Sequence, residues 1–493
     1  MNLMMLLEMA ASGFGERAAV TNGAQTLTYS ELFRAAGAAI SRAAMLDVSS
    51  LALPIGLFGS AWAGVPFAPL NYRLTRSELE ALVARITPCY LIAASDRVEE
   101  LTGLPETTVV PRERFLERTR NPADADSGWP MDPDEIAVLL FTSGTTGAPK
   151  AAVLRHKHLV SYILGSVEFG SAPEAAAGLV SVPPYHIAGI AAIASSVYAG
   201  RRIVQLPNFS AEAWLELARA ERVTHAFVVP TMLARIVEAI GDARSADLPQ
   251  LQALSYGGGK MPQPVIERAM QLFPGVAFSN AYGLTETSST LAILGPDDHR
   301  TAAASDDPKI RRRLTSVGRA LPSVEVQIRD ESGNRLGPDE RGEIYVRGEQ
   351  VSGEYLGRGA SLDADGWFPT RDAGSMDAEG YLFIEGRADD VIVRGGENMS
   401  PGEIEDVLLE HEAVADSAVV GIPDEQWGEA VAAVVVTRPG CSVTEPELQA
   451  WVQARLRSSR TPQRIEFRDA LPYNETGKLL RRLVRAELLG ETP

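Results

Sequence analysis

Cysteine is almost missing from this chain. Two residues in 493, Cys89 and Cys441, lie in distant segments without metal-ligand spacing. That excludes a disulfide scaffold and a cysteine-built metal centre, and it reads simply as a reduced, cytoplasmic protein. Histidine is sparse as well, and no second His or Cys is spaced to make His186 a metal ligand. Positive charge is in deficit. Lys and Arg number 46 against 64 Asp and Glu, a formal net charge of −18, which argues against life on nucleic acid or anionic membrane. An anionic ligand held at a local basic site is not excluded by that balance. Long apolar runs are lacking too, since none approaches the ~18 residues that span a bilayer. The apolar start, Met1 to Ala10, has no basic n-region and is broken by Glu8, so it reads as an amphipathic first helix and not as a signal peptide. No internal repeat or low-complexity tract is present.

What remains is an ordinary globular composition in a chain too long for one core, so two or more domains are expected. Helical stretches alternate with short β-branched runs, the pattern of an α/β protein. Thr28-Tyr29-Ser30-Glu31 reads as a capping box, and Leu32, Ala35, Ala36, Ala39 and Ile40 follow at helical spacing. Ala226 to Pro230 and Ala253 to Tyr256 read as strands. Asp297 to Arg313 is polar and reads as a surface excursion, with Arg311 to Arg313 as a solvated face. From about Ser323 alternating patterns such as Val324 to Ile328 and Glu343 to Val346, with a turn at Asp330 to Asn334, predict a small β-rich subdomain. After Gly386-Arg387 the texture changes again. Ser400-Pro401-Gly402-Glu403 reads as a capping box with Pro at the first helical position, and Thr444-Glu445-Pro446-Glu447 opens another helix. The division falls near Arg387 to Asp390, giving a large unit over 1–387 and a compact α+β unit over 388–493.

One stretch carries chemistry on its face. Ile136 to Phe141 reads as a buried strand and opens into Thr142-Ser143-Gly144-Thr145-Thr146-Gly147-Ala148-Pro149-Lys150. Glycines let a backbone approach phosphates, N–H groups and hydroxyls donate to their oxygens, and a Lys adds a mobile charge. The spacing does not fit the G-x-x-x-x-G-K-[ST] pattern, so this is a nucleotide loop of another kind. Taken alone, a polar surface loop would read the same way.

It is not alone. Along nearly the whole length the chain resembles the acyl-adenylate-forming superfamily, which includes acyl-CoA synthetases, peptide-synthetase adenylation domains and beetle luciferases. Six motifs carry the resemblance in order: Thr142 to Lys150; Pro183-Pro184-Tyr185-His186-Ile187-Ala188-Gly189; Tyr282-Gly283-Leu284-Thr285-Glu286-Thr287; Trp367 to Asp372; Gly386-Arg387-Ala388-Asp389-Asp390, running on to Gly395-Gly396-Glu397-Asn398; and Asn474-Glu475-Thr476-Gly477-Lys478. The hinge loop is most similar to that of acyl-CoA synthetases of medium-chain, aromatic or alicyclic acids.

The resemblance implies a large multi-subdomain N-terminal α/β domain with a small β-rich subdomain, and a mobile C-terminal α+β domain. It implies ATP-dependent activation of a carboxylic acid to acyl-AMP, then transfer to CoA. Transfer to an amine or a carrier-protein thiol is the alternative, and a non-catalytic acyl- or nucleotide-binding protein the remote one. The cofactors implied are ATP, Mg²⁺ and CoA as acceptor. The partners are small molecules, with no nucleic acid and no membrane span; a homodimer is compatible with it. Thr142, Ser143, Gly144, Thr145, Thr146, Gly147 and Lys150 are expected to hold the β- and γ-phosphates, Thr285 to donate to the α-phosphate, and Glu286 to ligate Mg²⁺. Tyr282 is expected against adenine, Asp372 and Arg387 on the ribose, and Gly257, Gly258 and Gly259 between adenine and the acyl pocket. His186 is expected as a wall of that pocket, and Lys478 as the catalytic lysine of adenylation. Asp389 is expected as the hinge, with Gly395 and Gly396 lining the channel for the thiol arm. Two positions depart from the family pattern. Arg371 stands where Gly is frequent and is placed to pair with Asp372; Lys260 stands where Pro is frequent, facing solvent in the preferred reading or the acyl substrate in the other.

Overall fold

The structure, a computed structural model, describes residues 1–38, 43–120, 128–142, 149–387, 390–394, 397–473 and 479–491. Ala39 and Ile40 of the second expected helix lie outside them. Among the described residues the chain forms two large sheets, a small antiparallel sheet and a separate C-terminal sheet.

The first large sheet has nine strands among the described residues. Six of them run parallel, in the order Ala277–Leu284, Ala253–Gly257, His225–Val228, Ala177–Val180, Arg202–Gln205 and Ala18–Asn22. Antiparallel strands, Ser289–Leu294 among them, finish each edge. Ala177–Val180 is buried at every position, the continuous apolar run of a strand covered on both faces. The second large sheet carries the hairpin Ile136–Thr142 and Lys150–Arg155 beside parallel strands Phe67–Pro69, Ala43–Leu46, Cys89–Ala93 and Thr107–Pro111. The helix Ala52–Trp62 is apolar all round and almost wholly buried, as a helix sunk in a core must be. The first helix, Met4–Phe14, is placed as its sequence predicts, with Met4, Leu6, Leu7 and Ala10 buried. Full burial of such a side chain contributes about 1.5–3 kcal/mol.

The small antiparallel sheet orders Glu325–Arg329, Gly342–Arg347, Phe368–Met376 and Leu382–Arg387. The C-terminal sheet, with its own apolar core, begins at Ile392–Arg394 and centres on the long pair Val414–Asp424 and Gly428–Thr437. The architecture is thus a large N-terminal α/β domain with a smaller C-terminal α+β domain.

One local expectation is refined and one needs correction. The polar stretch 297–313 lies mostly at the surface, as expected, and it is helical. It holds helices Pro296–Ala304 and Pro308–Arg311, and His299 is buried with its Nε2 2.8 Å from the Tyr256 hydroxyl. Arg312 and Arg313 lie over the rings of Phe383 and Tyr381 at 4.1 and 4.3 Å, so cation–π packing accounts for two of the three arginines. At Ser400 the expected capping box does not form. The helix Pro401–Leu409 does start with Pro, but the Ser400 hydroxyl donates instead to the Glu385 carbonyl at 2.7 Å, and Glu403 pairs with Arg460 at 2.6 Å. Ser400 therefore ties the C-terminal helix to the last strand of the small antiparallel sheet.

Candidate active site

Thr142 and Lys150 face each other across the hairpin, with the Thr142 hydroxyl donating to the Lys150 carbonyl at 3.4 Å. The turn between them, with Ser143, Gly144, Thr145, Thr146 and Gly147, lies outside the described residues. A hairpin, not a strand feeding a helix, explains why the spacing misses the commoner phosphate-loop pattern. Lys150 Nζ sits 5.5 Å from the centre of the Tyr355 ring. The Tyr355 hydroxyl donates to Glu286 Oε1 at 2.6 Å. Burial, and then the Glu286 carboxylate beside it, push the Tyr355 phenol far above its ordinary pKa, so it stays a donor. Glu286 is itself buried, and its backbone carbonyl accepts the Ser352 and Gly353 N–H groups at 2.8 and 3.2 Å. Its second carboxylate oxygen has no protein hydrogen bond among the described residues. Thr285, one residue earlier, makes no side-chain hydrogen bond among the described residues.

Three residues before Thr285, Tyr282 donates its hydroxyl to Asp372 Oδ2 at 2.6 Å. Arg387 Nη1 donates to Asp372 Oδ1 at 2.9 Å. The Asp372 backbone N–H bonds the Thr370 hydroxyl at 3.1 Å, which fixes the strand under the carboxylate. Burial, with the Asp372 charge adding to it, raises the Tyr282 phenol well above its ordinary pKa. Segment 282–286 thus joins two polar groups: Lys150, Tyr355 and Glu286 on one side, Tyr282, Asp372 and Arg387 on the other.

The expected pairing of Arg371 with Asp372 is not what the structure has. Arg371 has φ +62°, its side chain is 60% exposed, and its nearest carboxylate is Glu343 at 3.9 Å. The left-handed backbone turns the side chain outward, and it is also why glycine suits this position. Lys260 is half-exposed, in line with the solvent reading, and does not line the cavity below Gly258; it also bonds Asp406 Oδ2 at 2.6 Å and the Gly402 carbonyl at 3.2 Å in the C-terminal domain.

Gly257 lies against the next strand so closely that a Cβ there would fall 2.1 Å from the Ala281 carbonyl oxygen, and Gly258 has φ +83°. These two glycines are demanded by the backbone. Below them opens a cavity of about 530 Å³, lined by Gly258, Gly283, the sheet face beneath and the helix Ile187–Ala199. Its volume falls in the range of small-molecule sites. Ile187 and Ala188 line it, whereas His186, at the start of that helix, is not among the lining residues. The His186 Nε2 is buried without a hydrogen-bond partner, and desolvation lowers its pKa to about 4. It is a neutral ring at physiological pH.

Of the residues expected from sequence, the structure brings together Thr142 with Lys150, Tyr282 with Asp372 and Arg387, and Glu286 within one side chain of Lys150. Gly259 follows Gly258 but is not among the residues that line the cavity. Asp389, Gly395, Gly396 and Lys478 lie outside the described residues, as does the rest of 474–478. Tyr355 was not anticipated. No local pattern marks it, because its partner Glu286 is 69 residues away. Among the described residues no cluster of three His, Cys, Asp or Glu side chains could by itself hold a metal ion, and no helix is long and apolar enough to cross a membrane.

Comparison with known proteins fits this geometry. Residues 7–356 match the AMP-binding enzyme family and residues 403–478 match the AMP-binding enzyme C-terminal domain. A feruloyl-CoA synthase of Amycolatopsis sp is 33% identical over 485 residues, covering 95% of this chain and 95% of that protein. A fatty acid–[acyl-carrier-protein] ligase of Streptomyces coeruleorubidus is 34% identical over 495 residues, covering 95% and 93%. Among solved structures, o-succinylbenzoate CoA synthetase from Bacillus subtilis, in complex with its acyl-adenylate intermediate, superposes with a TM-score of 0.84 at 28% identity over 97% of each chain.

Proposed function

The chain belongs to the AMP-binding enzyme family, and from that premise we propose that it is an ATP-dependent acid–thiol ligase: carboxylic acid, ATP and CoA give acyl-CoA, AMP and pyrophosphate. The observation that carries this reading is the adjacency of the Asp372 and Glu286 groups to the mouth of the apolar cavity, through the single segment 282–286 and the paired strand at Gly257.

In the first step a carboxylate oxygen attacks the α-phosphorus and pyrophosphate departs. A carboxylic acid has a pKa near ~4, so the nucleophile is already ionised and no general base is needed. The protein's work is alignment and positive charge. Lys150 and the segment from Thr142 to Gly147 hold the departing phosphates, and the Thr285 hydroxyl, unbonded among the described residues, donates to the α-phosphate. Asp372 accepts the ribose hydroxyls while Tyr282 and Arg387 hold its carboxylate in place. Glu286 fits a magnesium ion: it is a buried hard-oxygen donor with one oxygen uncommitted among the described residues. Magnesium bound there with ATP neutralises phosphate charge. Lys478 completes the adenylation site.

In the second step the CoA sulfur attacks the acyl carbonyl and AMP leaves. The C-terminal unit, taken as residues 388–493, turns about Asp389 so that Gly395 and Gly396 line the thiol channel in place of Lys478. Work in the cytoplasm, where ATP and CoA are supplied, is part of this reading, and so is a homodimer, which the mass in solution tests.

The experiment is a panel of short, medium, long, aryl and alicyclic acids with Mg-ATP, following pyrophosphate and AMP with and without CoA. AMP release that requires both one acid class and CoA is expected. Pyrophosphate release that depends on acid but ignores CoA would move the acceptor to an amine or to a carrier-protein thiol, the reading favoured by the carrier-protein ligase relative. The Lys478→Ala variant is expected to lose adenylation yet still thioesterify supplied acyl-AMP.

A further inference from the structure

Adjacent arginines begin the strand Arg202–Gln205, and they are treated differently by the fold. Arg202 is fully paired, with Nη1 2.5 Å from Glu221 and 3.2 Å from the Thr21 hydroxyl. Arg201 has no carboxylate partner: among the described residues its guanidinium makes no hydrogen bond and no ion pair, and its Nε is buried without one. It lines the acyl cavity.

The register of the sheet says where along the cavity it stands. Gly178, His225 and Ala253 form one row across three parallel strands, and Val180, Phe227 and Ser255 form the row two residues further on. Residues two apart share a face, so these rows make one floor, with Gly257 and Ala281 paired at its far end. Gly178, Ala253 and Ser255 leave room on this floor, beside the larger His225, Val180 and Phe227. Gly178 is small for a stated reason: a Cβ there would meet Arg201 Cδ at 3.2 Å, so the arginine side chain runs over that glycine. The reaction end of the cavity, at Gly258, is at the C-terminal ends of the strands. Arg201 stands at their N-terminal ends, about 13 Å away along four strand residues.

The groups around Arg201 do not neutralise it. Tyr29 donates its hydroxyl to the Arg201 carbonyl at 2.9 Å and is a phenol whose pKa burial raises. His225 is neutral, its pKa lowered to about 4 by burial and then by Arg201 itself. Its Nδ1 is 2.8 Å from the Thr224 hydroxyl, which also bonds the Ala177 carbonyl. With the one hydroxyl proton committed to that carbonyl, Nδ1 is the donor to Thr224 and Nε2 is a lone-pair acceptor. An unpaired guanidinium facing a largely apolar cavity is costly, and a bound anion removes that cost.

We propose that Arg201 determines specificity at the far end of the acyl substrate, and that the acid activated here carries a second carboxylate, which Arg201 binds while the first reacts near Gly258. At about 1.2 Å per bond, and with the arginine itself reaching inward, the two carboxylates are separated by roughly six to ten bonds. This rests on the ligase reading above and narrows its substrate to a dicarboxylic acid.

The test uses ATP–pyrophosphate exchange, which reports adenylation whatever the final acceptor. Straight-chain and aryl-containing diacids of that span are compared with their monoamides and with monocarboxylic acids of equal length. The wild-type protein is expected to prefer the diacid by about 10- to 100-fold in kcat/KM, the worth of a charge-assisted hydrogen bond. Arg201→Met is expected to remove that preference by raising the diacid KM, while exchange with the monocarboxylic acid is retained and the melting temperature is not lowered, since a cation without a partner has been removed. The wild-type comparison stands even if that variant does not fold. Equal or better exchange with a monocarboxylic or phenolic acid overturns the diacid assignment and leaves the ligase reading intact. Exchange with no acid of any class overturns both.

Discussion

Asp372 gives the sharpest quantitative test of the nucleotide site. An ionised carboxylate offers about four lone-pair positions. Here two are taken, by Tyr282 at 2.6 Å and Arg387 at 2.9 Å. Two remain, the number a ribose diol requires. Asp372→Asn keeps the shape and removes the charge. The new amide must turn its carbonyl to Arg387, leaving its NH₂ toward Tyr282, whose hydroxyl can accept. Hydrogen bonds to charged groups contribute about 1.5–3 kcal/mol and neutral ones about 0.5–1.5, so two ribose bonds lose roughly 2–3 kcal/mol together. That corresponds to roughly a 30- to 150-fold rise in the KM for ATP in pyrophosphate exchange. The decisive measurement repeats the assay with 2′-deoxy- and 3′-deoxy-ATP. The wild-type protein should lose about 10- to 100-fold with each, and the Asn variant at most about 10-fold, because the deleted hydroxyl and the deleted charge act on the same bond. If both proteins lose the same factor, Asp372 does not bind the ribose and the geometry has been misread.

Tyr355→Phe keeps the ring beside Lys150 but frees Glu286 Oε1, and adenylation is expected to fall about 10-fold with a raised requirement for Mg²⁺; an unchanged magnesium titration would remove Tyr355 from the site. His156 is buried, and its Nδ1 accepts the Leu3 N–H at 3.1 Å. Its pKa in the folded chain, about 4, lies below the ordinary 6.5, so its stabilisation is complete above pH 6.5 and is lost as pH falls toward 4, about 1.4 kcal/mol per pH unit and about 3 kcal/mol in all. Urea midpoints from pH 7 to 4.5 should fall less steeply in His156→Asn, and parallel curves would contradict this. Lys260→Met and Asp406→Asn break one half-exposed ion pair whose coupling is below about 1 kcal/mol. Both should shift the ratio of pyrophosphate exchange to CoA-dependent AMP release in the same direction, and opposite shifts would show that the pair does not hold the domain orientation.

The parts of the site that were legible in sequence are those whose chemistry is written locally. The lysine at Lys150, the acid after Thr285 and the carboxylate at Asp372 each sit in a motif that can be recognised without knowing the fold. What was not legible depends on where remote segments arrive. Tyr355 reaches Glu286 only because Glu354–Tyr355 adds as a strand to the hairpin arm Lys150–Arg155. Ser400 has the right residue for a cap and a Glu three places on, but its hydroxyl is drawn to the Glu385 carbonyl and Glu403 pairs with the remote Arg460, so the reciprocal box does not form. Arg371 was placed by sequence adjacency beside Asp372, and its positive φ points it elsewhere. The polar run 297–313 does lie mostly at the surface, but the stacking of Arg312 on Phe383 and Arg313 on Tyr381 depends on remote segments and leaves no mark in the local sequence.

The same contrast bears on how one site can serve nucleotide and acid together. Gly257 pairs with Ala281, one residue before Tyr282, and a side chain at Gly257 would force the strands apart. The distance between the cavity mouth and the Tyr282–Asp372 pair is therefore set by backbone hydrogen bonds, with no flexible side chain in between. Three residues on from Gly257, Lys260 engages Asp406 of the C-terminal helix. A stretch of four residues thus touches the cavity, the strand that carries Tyr282 and the C-terminal domain. Rigid pairing at one end and a weak, half-exposed ion pair at the other suit the two-step reaction proposed above: the sheet fixes one side of the site, and the Lys260–Asp406 contact with the C-terminal domain is inexpensive to break.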